Sequence, residues 1–299
     1  MSVTDAPTRR GVHERLAALP VAAAPSYDPR RTMPLRIEFV RQLRRRRTQF
    51  AFLILLVLPV IIAIAFKVGG SPASTGGAAL VDLASHGGAN FALFTEFASV
   101  GFLLVVIAAL FCGDTVASEA TWGSLRYLLA MPVPRARLLR QKLTVAVALS
   151  FGANLLLPAW GMAVGEAFFG NAPARSPLGA TFDFRETVWR LLVIVAYACG
   201  QALVVVSLAF LLSVSVDNPL GAVGGATMLV VVSNILDQIA ALDPYRRLLP
   251  THFQFSWLDT LGTRIVWDDM IRGTGSALVY SAVFFGPAWL KFDKKDITS

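Results

Sequence analysis

Six long apolar runs, separated by polar segments, divide most of the chain. They extend over about 50–66, 91–111, 143–169, 188–216, 220–241 and 275–290. The first run has 17 residues, which rise about 26 Å as an α-helix and therefore suffice to cross a bilayer core. Only 15% of the residues are charged, whereas about 25% are charged in soluble domains. We therefore predict an all-α, polytopic membrane protein with six transmembrane helices.

Lysine and arginine are distributed unevenly over this predicted topology. Nineteen of the 27 lie before the first run, within 113–142 or after the last run, and eight lie elsewhere. Because basic residues favour the cytoplasmic side, we predict a multi-pass protein of the cell membrane with both termini and segment 113–142 in the cytoplasm. The net charge of +8 does not predict nucleic-acid binding, because the N-terminal arginines form no platform with interleaved aromatic side chains.

The polar N-terminal region is expected to contain two parts. Residues 1–31 are rich in Ala, Pro and Arg without periodicity, which predicts a disordered cytoplasmic tail. Residues 32–49 place Leu35, Phe39 and Leu43 on one helical face, which predicts an amphipathic interfacial helix; a plain positively charged anchor is the alternative. The first apolar run begins far from the N-terminus and is expected to remain as an anchor. Residues 50–290 then form the six-span domain, and 291–299 form a cytoplasmic tail.

The cytoplasmic segment 113–142 carries a second amphipathic pattern. A helix over Thr115–Ala130 would place Trp122, Leu125 and Leu129 on one face, and Pro132 would end it. Such a helix, parallel to the membrane, can insert an apolar side chain into a cleft of a soluble partner. An ordinary positively charged loop is the alternative interpretation.

The same segment carries a resemblance to a known family. The order Glu119, Thr121, Gly123, Ser124, Leu125, Leu128, Pro132, Arg135, Lys142 resembles the first cytoplasmic loop of the ABC type-2 transporter permeases, the membrane subunits of bacterial ABC exporters. The segments LPTHF (249–253) and WDDMIRG (267–273) and the ending KFDKKDITS are similar to that family as well, which extends the resemblance over about 35–299.

The resemblance implies a coupling helix that transmits the stroke of a separate ABC ATPase. It assigns that role to Glu119, Thr121, Trp122, Gly123, Ser124, Leu125 and Pro132. It further implies two ATPase subunits and a second permease subunit, in a homodimer or a heterodimer. An amphiphilic or hydrophobic substrate, such as a drug in multidrug efflux or a lipid-like molecule, is the expected cargo.

Sequence patterns for catalysis are missing from the chain. There is no GxxxxGK[ST] phosphate loop, no HExxH and no GxSxG. Cys112 and Cys199 lie at or within apolar runs without a CxxC or Cys/His pattern. We therefore predict no enzyme, no metal site and no cofactor on this chain; ATP and magnesium are expected on the partner subunit.

Polar residues within the apolar runs are candidates for the translocation path. They are Thr95, Glu96 and Ser99 in the second run and Thr227, Asn234 and Gln238 in or near the fifth. The resemblance implies that these two spans line the path, whereas each residue taken alone favours a hydrogen bond between helices over contact with a substrate. A secondary transporter or channel that uses Glu96, Glu166 and Asp237 is the alternative function, although no Lys or Arg lies mid-span to pair with them.

Overall fold

The computed structural model describes residues 35–69, 80–121, 135–177 and 179–293, all of which belong to one compact unit that starts at Pro34. These residues form helices apart from connecting turns and one two-stranded antiparallel sheet. The helices are α1 Leu35–Leu43, α2 Arg46–Gly69, α3 Leu80–Leu83, α4 Gly88–Val100, α5 Leu103–Thr121, α6 Arg135–Phe169, α7 Phe184–Ser215, α8 Pro219–Asp237 and α9 Asp268–Asp293. The strands are β1 Ala174–Arg175 and β2 Thr181–Phe182, and Arg175 lies opposite Thr181.

Four helices are long and apolar enough to cross a membrane, namely α2, α6, α7 and α8. The number rises to five if α4 and α5 form one bent span. The sixth predicted run lies within α9, which has 26 residues but is not among these helices because charged and small polar residues dilute its apolar stretch. The predicted helical fold with several helices long and apolar enough to cross a membrane is thus confirmed, and the number six remains a prediction.

A break in the second predicted span is the main departure from the expected helices. The run 91–111 is divided at Gly101 and Phe102, where α4 and α5 meet at 57°. Two side-chain amides compensate the break: Gln254 Nε2 donates to the carbonyl of Val100 at 2.6 Å, and Asn234 Nδ2 lies 3.4 Å from that of Gly101. Both donors come from distant parts of the chain, so the run itself does not predict the bend.

Local signals account for the ends of α7 and α8. The side chain of Asp183 accepts from the backbone N–H of Glu186 at 3.0 Å and caps the start of α7. Asn218 caps α8 by accepting from the N–H of Leu220 at 2.9 Å, and Pro219 occupies the first turn. The Asp-Asn-Pro sequence at 217–219 therefore ends one membrane helix and starts the next.

Small residues allow α4 and α6 to pack closely within the chain. A Cβ added at Gly165 would lie 2.8 Å from the Cα of Gly88, and one added at Gly161 would collide with the Thr95 side chain. This GxxxG pair therefore serves packing between neighbouring helices of the same chain.

Helix α1 covers only part of the range 32–49 predicted for an interfacial helix: it ends at Leu43, and the second helix begins at Arg46. Its buried residues are the polar Glu38 and Gln42, whereas Leu35, Ile37 and Phe39 are exposed. Glu38 and Gln42 therefore face the protein, as does Leu43, which packs against the core, whereas the other apolar side chains of α1 are open to the surroundings. This orientation suits a helix at a membrane surface, although its position in an interface remains a prediction.

Candidate functional site

A cluster of charged side chains lies at the end of the bundle where α5 stops and α6 starts. It consists of Glu38 and Arg41 from α1, Glu119 from α5 and Lys142 from α6. Only 3% of the Lys142 side chain is exposed, with 2% for Glu38 and 6% for Glu119. We refer to these four residues as the ion cluster.

Lys142 and Arg41 each bridge the two carboxylates of the ion cluster. The ammonium group of Lys142 contacts Oε1 of Glu119 and lies 3.5 Å from Oε1 of Glu38. Nη2 of Arg41 lies 2.9 Å from Glu119 Oε1 and 3.0 Å from Glu38 Oε1. Two positive and two negative groups thus balance, which is the condition under which buried charges are tolerated.

The contacts within the ion cluster explain the pKa shifts of Glu38 and Arg41 on α1. Burial alone raises the pKa of Glu38, but Lys142, the Gln42 amide and Arg41 outweigh burial and hold that pKa below its ordinary value. Burial likewise opposes the charge on Arg41, whose pKa is nevertheless raised because Glu38 and Glu119 stabilise the guanidinium. Both groups are therefore charged around neutral pH.

A second set of contacts fixes the end of α5 from other directions. Asp114 pairs with Arg45 at 2.7 Å and also with Arg47. The hydroxyl of Ser213 on α7 lies 3.1 Å from the N–H groups of Val116 and Ala117. The last turn of α5 is thus held by α7 and by the N-terminal helices at the same time.

Thr121 ties the end of α5 to the connection between α7 and α8. Its hydroxyl donates to the carbonyl of Asp217 at 2.5 Å. Glu119 and Thr121, both predicted for the coupling element, therefore belong to a helix continuous with Leu103. The other residues predicted for that element, Trp122, Gly123, Ser124, Leu125 and Pro132, lie outside the described residues, as do the tail 1–31 and residues 294–299.

The geometry makes segment 122–134 a connection between two rigid ends. One end follows Thr121, close to Glu119, and the other precedes Arg135, two turns before Lys142. The Glu119–Lys142 contact joins the two flanking helices directly, and α1 is attached to the same contact through Arg41. A force on the segment would consequently act on α1, α5 and α6 together.

The candidate path residues are not brought together as one surface. Thr95, Glu96 and Ser99 are buried on α4, whereas Thr227 is half-buried on α8 and Gln238 is exposed at its end. Thr95 and Thr227 donate to their own helix, at Ala92 and Val223. Asn234, as described above, faces the break between α4 and α5. Of these three bonds, only that of Asn234 is of the interhelical kind expected from the sequence, whereas the two threonines are satisfied within their own helices.

Glu96 and Ser99 differ from the hydrogen-bonded candidates Thr95, Thr227 and Asn234. The Glu96 side chain is completely buried, and neither carboxylate oxygen has a hydrogen-bond partner among the described residues. The hydroxyl of Ser99, one turn further along α4, is also buried without a partner in that set. An ionisable group so placed within a membrane protein is expensive and is a functional candidate by default.

The sequence singles out Glu119 and Lys142 through the family pattern, but it does not predict their contact or the part of Glu38 and Arg41 in the ion cluster. Glu38, Arg41 and Gln42 follow a helical i, i+3, i+4 spacing, which in retrospect marks one polar face of α1. This spacing is hard to distinguish from the surrounding arginines, which by themselves indicate charges at a membrane surface. Among the described residues, no group of three His, Cys, Asp or Glu side chains is arranged to hold a metal ion.

Comparison with known proteins places most of the chain in one family. No curated protein matches the sequence. A family model described as "Protein of unknown function (DUF2705)" matches residues 62–298. The matched range includes Glu96, Glu119 and Lys142, whereas Glu38 and Arg41 precede it. Since the match covers well over half of the sequence, the chain belongs to the family of proteins of unknown function designated DUF2705.

Proposed function

We propose that the chain is the permease subunit of an ATP-driven ABC exporter. The observation that carries the proposal is the buried contact between Glu119 and Lys142, which joins the two helices flanking segment 122–134. A coupling element must convert a push from a soluble ATPase into movement of membrane helices. A segment fixed at both ends to α5, α6 and α1 meets that requirement.

The break between α4 and α5 suits the movement that export needs. Helix α5 carries the ion cluster at one end and meets α4 at 57° at the other. The carbonyls at the break are held by side chains, from Gln254 and Asn234, rather than by an uninterrupted helical ladder. A push on α5 is thus expected to change the angle at Gly101 and Phe102 and to alternate access to the path.

The proposed topology has six spans with both termini in the cytoplasm. In this topology α4 and α5 form the second span and α9 forms the sixth. The 26 residues of α9 rise about 39 Å, so its charged ends reach beyond the hydrocarbon core. The ion cluster and segment 122–134 then face the cytoplasm, which agrees with the distribution of basic residues.

The proposed assembly contains two ATPase subunits and a second permease subunit, either identical or homologous. ATP and magnesium bind to the ATPase, since this sequence contains no phosphate loop. The cargo is an amphiphilic or hydrophobic molecule, drug-like or lipid-like, in keeping with the apolar walls of the helices.

The proposal is tested by affinity purification of the tagged chain from its native membrane, followed by mass spectrometry. We expect an ABC ATPase to co-purify and ATP hydrolysis to depend on that subunit. The chain purified alone should hydrolyse no ATP. If no ATPase is recovered with wild-type chain under conditions that preserve known ABC complexes, or if the chain alone turns over ATP, the proposal is wrong.

A secondary transporter is a second candidate, and Glu96 is the observation that favours it. A buried carboxyl with no partner among the described residues can take up a proton or a cation during transport. Transport driven by a proton gradient in ATP-free vesicles, and abolished by Glu96→Gln, would favour this candidate. ATP-dependent export that Glu96→Gln leaves intact would exclude it.

A further inference from the structure

A large open pocket lies at the end of the bundle opposite the ion cluster. It is formed between the first half of α9 and the segment 247–256, and it contains about 1460 Å³ of space that is partly open to solvent. Its lining includes Arg247, Leu248, Asp269, Arg272, Ser276 and Val279. We call it the α9 pocket.

The walls of the α9 pocket are fixed by hydrogen bonds. The hydroxyl of Tyr280 donates to the carbonyl of Leu248 and so joins α9 to the opposite wall. The hydroxyl of Tyr197 on α7 donates to the carbonyl of Phe253 at 2.6 Å. Asp269, Arg272 and Ser276 follow at i, i+3 and i+7 and therefore share one face of α9. The pocket is thus built into the fold and does not depend on a loose surface loop.

Two arginines supply the charge of the α9 pocket. Arg247 has no ion-pair partner among the described residues. Arg272 lies 3.5 Å from Asp269, but 66% of its side chain is exposed and 51% of that of Asp269, so this pair holds it weakly. His252, which also lines the pocket, is bonded to Asp237 at 2.5 Å. Both guanidinium groups can therefore donate to an anion, and phosphate matches their geometry.

Apolar side chains border the same pocket. Leu248 is 68% exposed and Val279 is 63% exposed, and both line it beside the arginines. Ile271 and Leu278 continue an exposed apolar surface along α9. A free phosphate ion would leave these groups without contact, whereas a molecule with an anionic head and an apolar chain would cover both kinds of surface.

We propose that the α9 pocket binds the head group of an anionic phospholipid. Arg247 and Arg272 hold the phosphate, the hydroxyl of Ser276 is available to donate to the head group, and Leu248 and Val279 contact the beginning of an acyl chain. Asp269 opposes the anion and limits its affinity. This inference does not depend on the proposed transport function, because it uses only residues at the opposite end of the bundle.

The test measures binding of short-chain lipids to the full-length chain purified in neutral detergent. The probes are dihexanoyl phosphatidylglycerol, dihexanoyl phosphatidylcholine and inorganic phosphate, followed by microscale thermophoresis at low ionic strength. We expect phosphatidylglycerol to bind more tightly than phosphatidylcholine, because only its head group has a net negative charge. We also expect it to bind more tightly than inorganic phosphate, because phosphate has no chain to contact Leu248 and Val279.

Substitutions of the basic and of the acidic residues of the α9 pocket should change the affinity for phosphatidylglycerol in opposite directions. Arg247→Gln and Arg272→Gln should each weaken phosphatidylglycerol binding about tenfold, since each removes a charge-assisted hydrogen bond. Asp269→Asn should tighten the binding of phosphatidylglycerol. Val279→Ser should weaken the binding of phosphatidylglycerol but leave the binding of inorganic phosphate unchanged. Arg264→Gln, an exposed arginine outside the pocket, is the matched control and should change nothing.

Three results would overturn the proposal. They are equal binding of phosphatidylglycerol by wild type and both arginine variants, equal binding of the two lipids, and inorganic phosphate binding as tightly as phosphatidylglycerol. The last result would identify a plain anion site instead of a lipid site. Because Arg247 and Arg272 are exposed, unchanged circular dichroism and gel-filtration profiles are expected for both variants.

Discussion

Lys142 and Glu119 form a buried ion pair between two helices that the segment 122–134 connects. Each residue is almost completely shielded from solvent, and Arg41 and Glu38 complete the balance of charge. Burying two charges is costly, and the cost is offset only when the contacts are good and all partners are present. Removing one member of the ion cluster should therefore lower the stability of the chain strongly, and this loss can be measured.

Lys142→Met should destabilise the chain by about 3–5 kcal/mol, the usual consequence of leaving a buried charge without its partner. Glu38 and Glu119 would then share the guanidinium group of Arg41 as the remaining cation of the ion cluster. The free energy of unfolding is measured by denaturant titration in detergent. Lys291→Met, at an exposed lysine near the end of α9, is the control and should alter stability by at most about 0.5 kcal/mol. Equal effects of the two substitutions would show that the pair contributes little.

The stability of the N-terminal helix should depend on pH through Glu38. Its pKa in the folded protein lies below the ordinary value of 4.5. The stabilisation is therefore fully present above about pH 4.5 and is lost as the pH falls through the lower, folded pKa. Glu38→Gln should make the decrease in melting temperature towards acid pH shallower than in wild type. Parallel curves for both proteins would contradict the prediction.

Gln254→Leu should affect the break between α4 and α5. The substitution leaves the buried carbonyl of Val100 without the donor that lies 2.6 Å away, at a cost of about 1–3 kcal/mol. Hydrogen exchange should increase in residues 98–106 more than in α7. Gln238→Leu, at the exposed end of α8, is the control. No local change in exchange with Gln254→Leu would mean that the break is held by other contacts.

The existence of the helices was predictable and the break was not. Apolar runs reveal membrane helices because each span must be apolar by itself, and Asn218 with Pro219 marks a boundary through local capping. The bend at Gly101 depends instead on Gln254 and Asn234, which are more than 130 residues away in sequence. Hydrophobicity contains no information about such distant donors.

Two members of the ion cluster, Glu119 and Lys142, were predictable from the family pattern, but their contact was not. Glu119 stood out as a carboxylate beside an apolar run, but its partners come from α1 and α6. Pairing of Glu38 with Lys142 spans 104 residues, and no spacing rule connects them. That no described side chain bonds to Glu96 was equally inaccessible, since it depends on how distant helices pack around it.

The proposed sidedness is open to a labelling test. In a background in which Cys112 and Cys199 are replaced by serine, His86→Cys should react with a membrane-impermeant maleimide added to intact cells. His86 is exposed at the end of the bundle where α4 begins, opposite the ion cluster. Ser124→Cys should react only after the membrane is permeabilised. External labelling of Ser124→Cys would reverse the topology and with it the cytoplasmic position of the coupling segment.

The coupling role of segment 122–134 is the most demanding prediction. Leu125→Asp should place a charge in an apolar socket of the ATPase, at a cost of about 3 kcal/mol, or roughly a hundredfold loss of docking affinity. Leu125→Met, which keeps the apolar volume, should retain docking and is the control. Glu119→Gln should have a different effect, because Glu119 contacts Lys142 and Arg41 inside the permease. We expect that variant to retain the ATPase but to lose export.

One experiment tests docking and transmission together: export by vesicles and co-purification of the ATPase are measured for each variant. Separation of the two effects would indicate that Leu125 docks and that Glu119 transmits, in keeping with the contacts of Glu119 to α1 and α6. Normal export and normal ATPase association with Leu125→Asp would contradict the coupling role. Segment 122–134 would then be a positively charged cytoplasmic loop, and the ion cluster would serve only to stabilise the ends of α5 and α6.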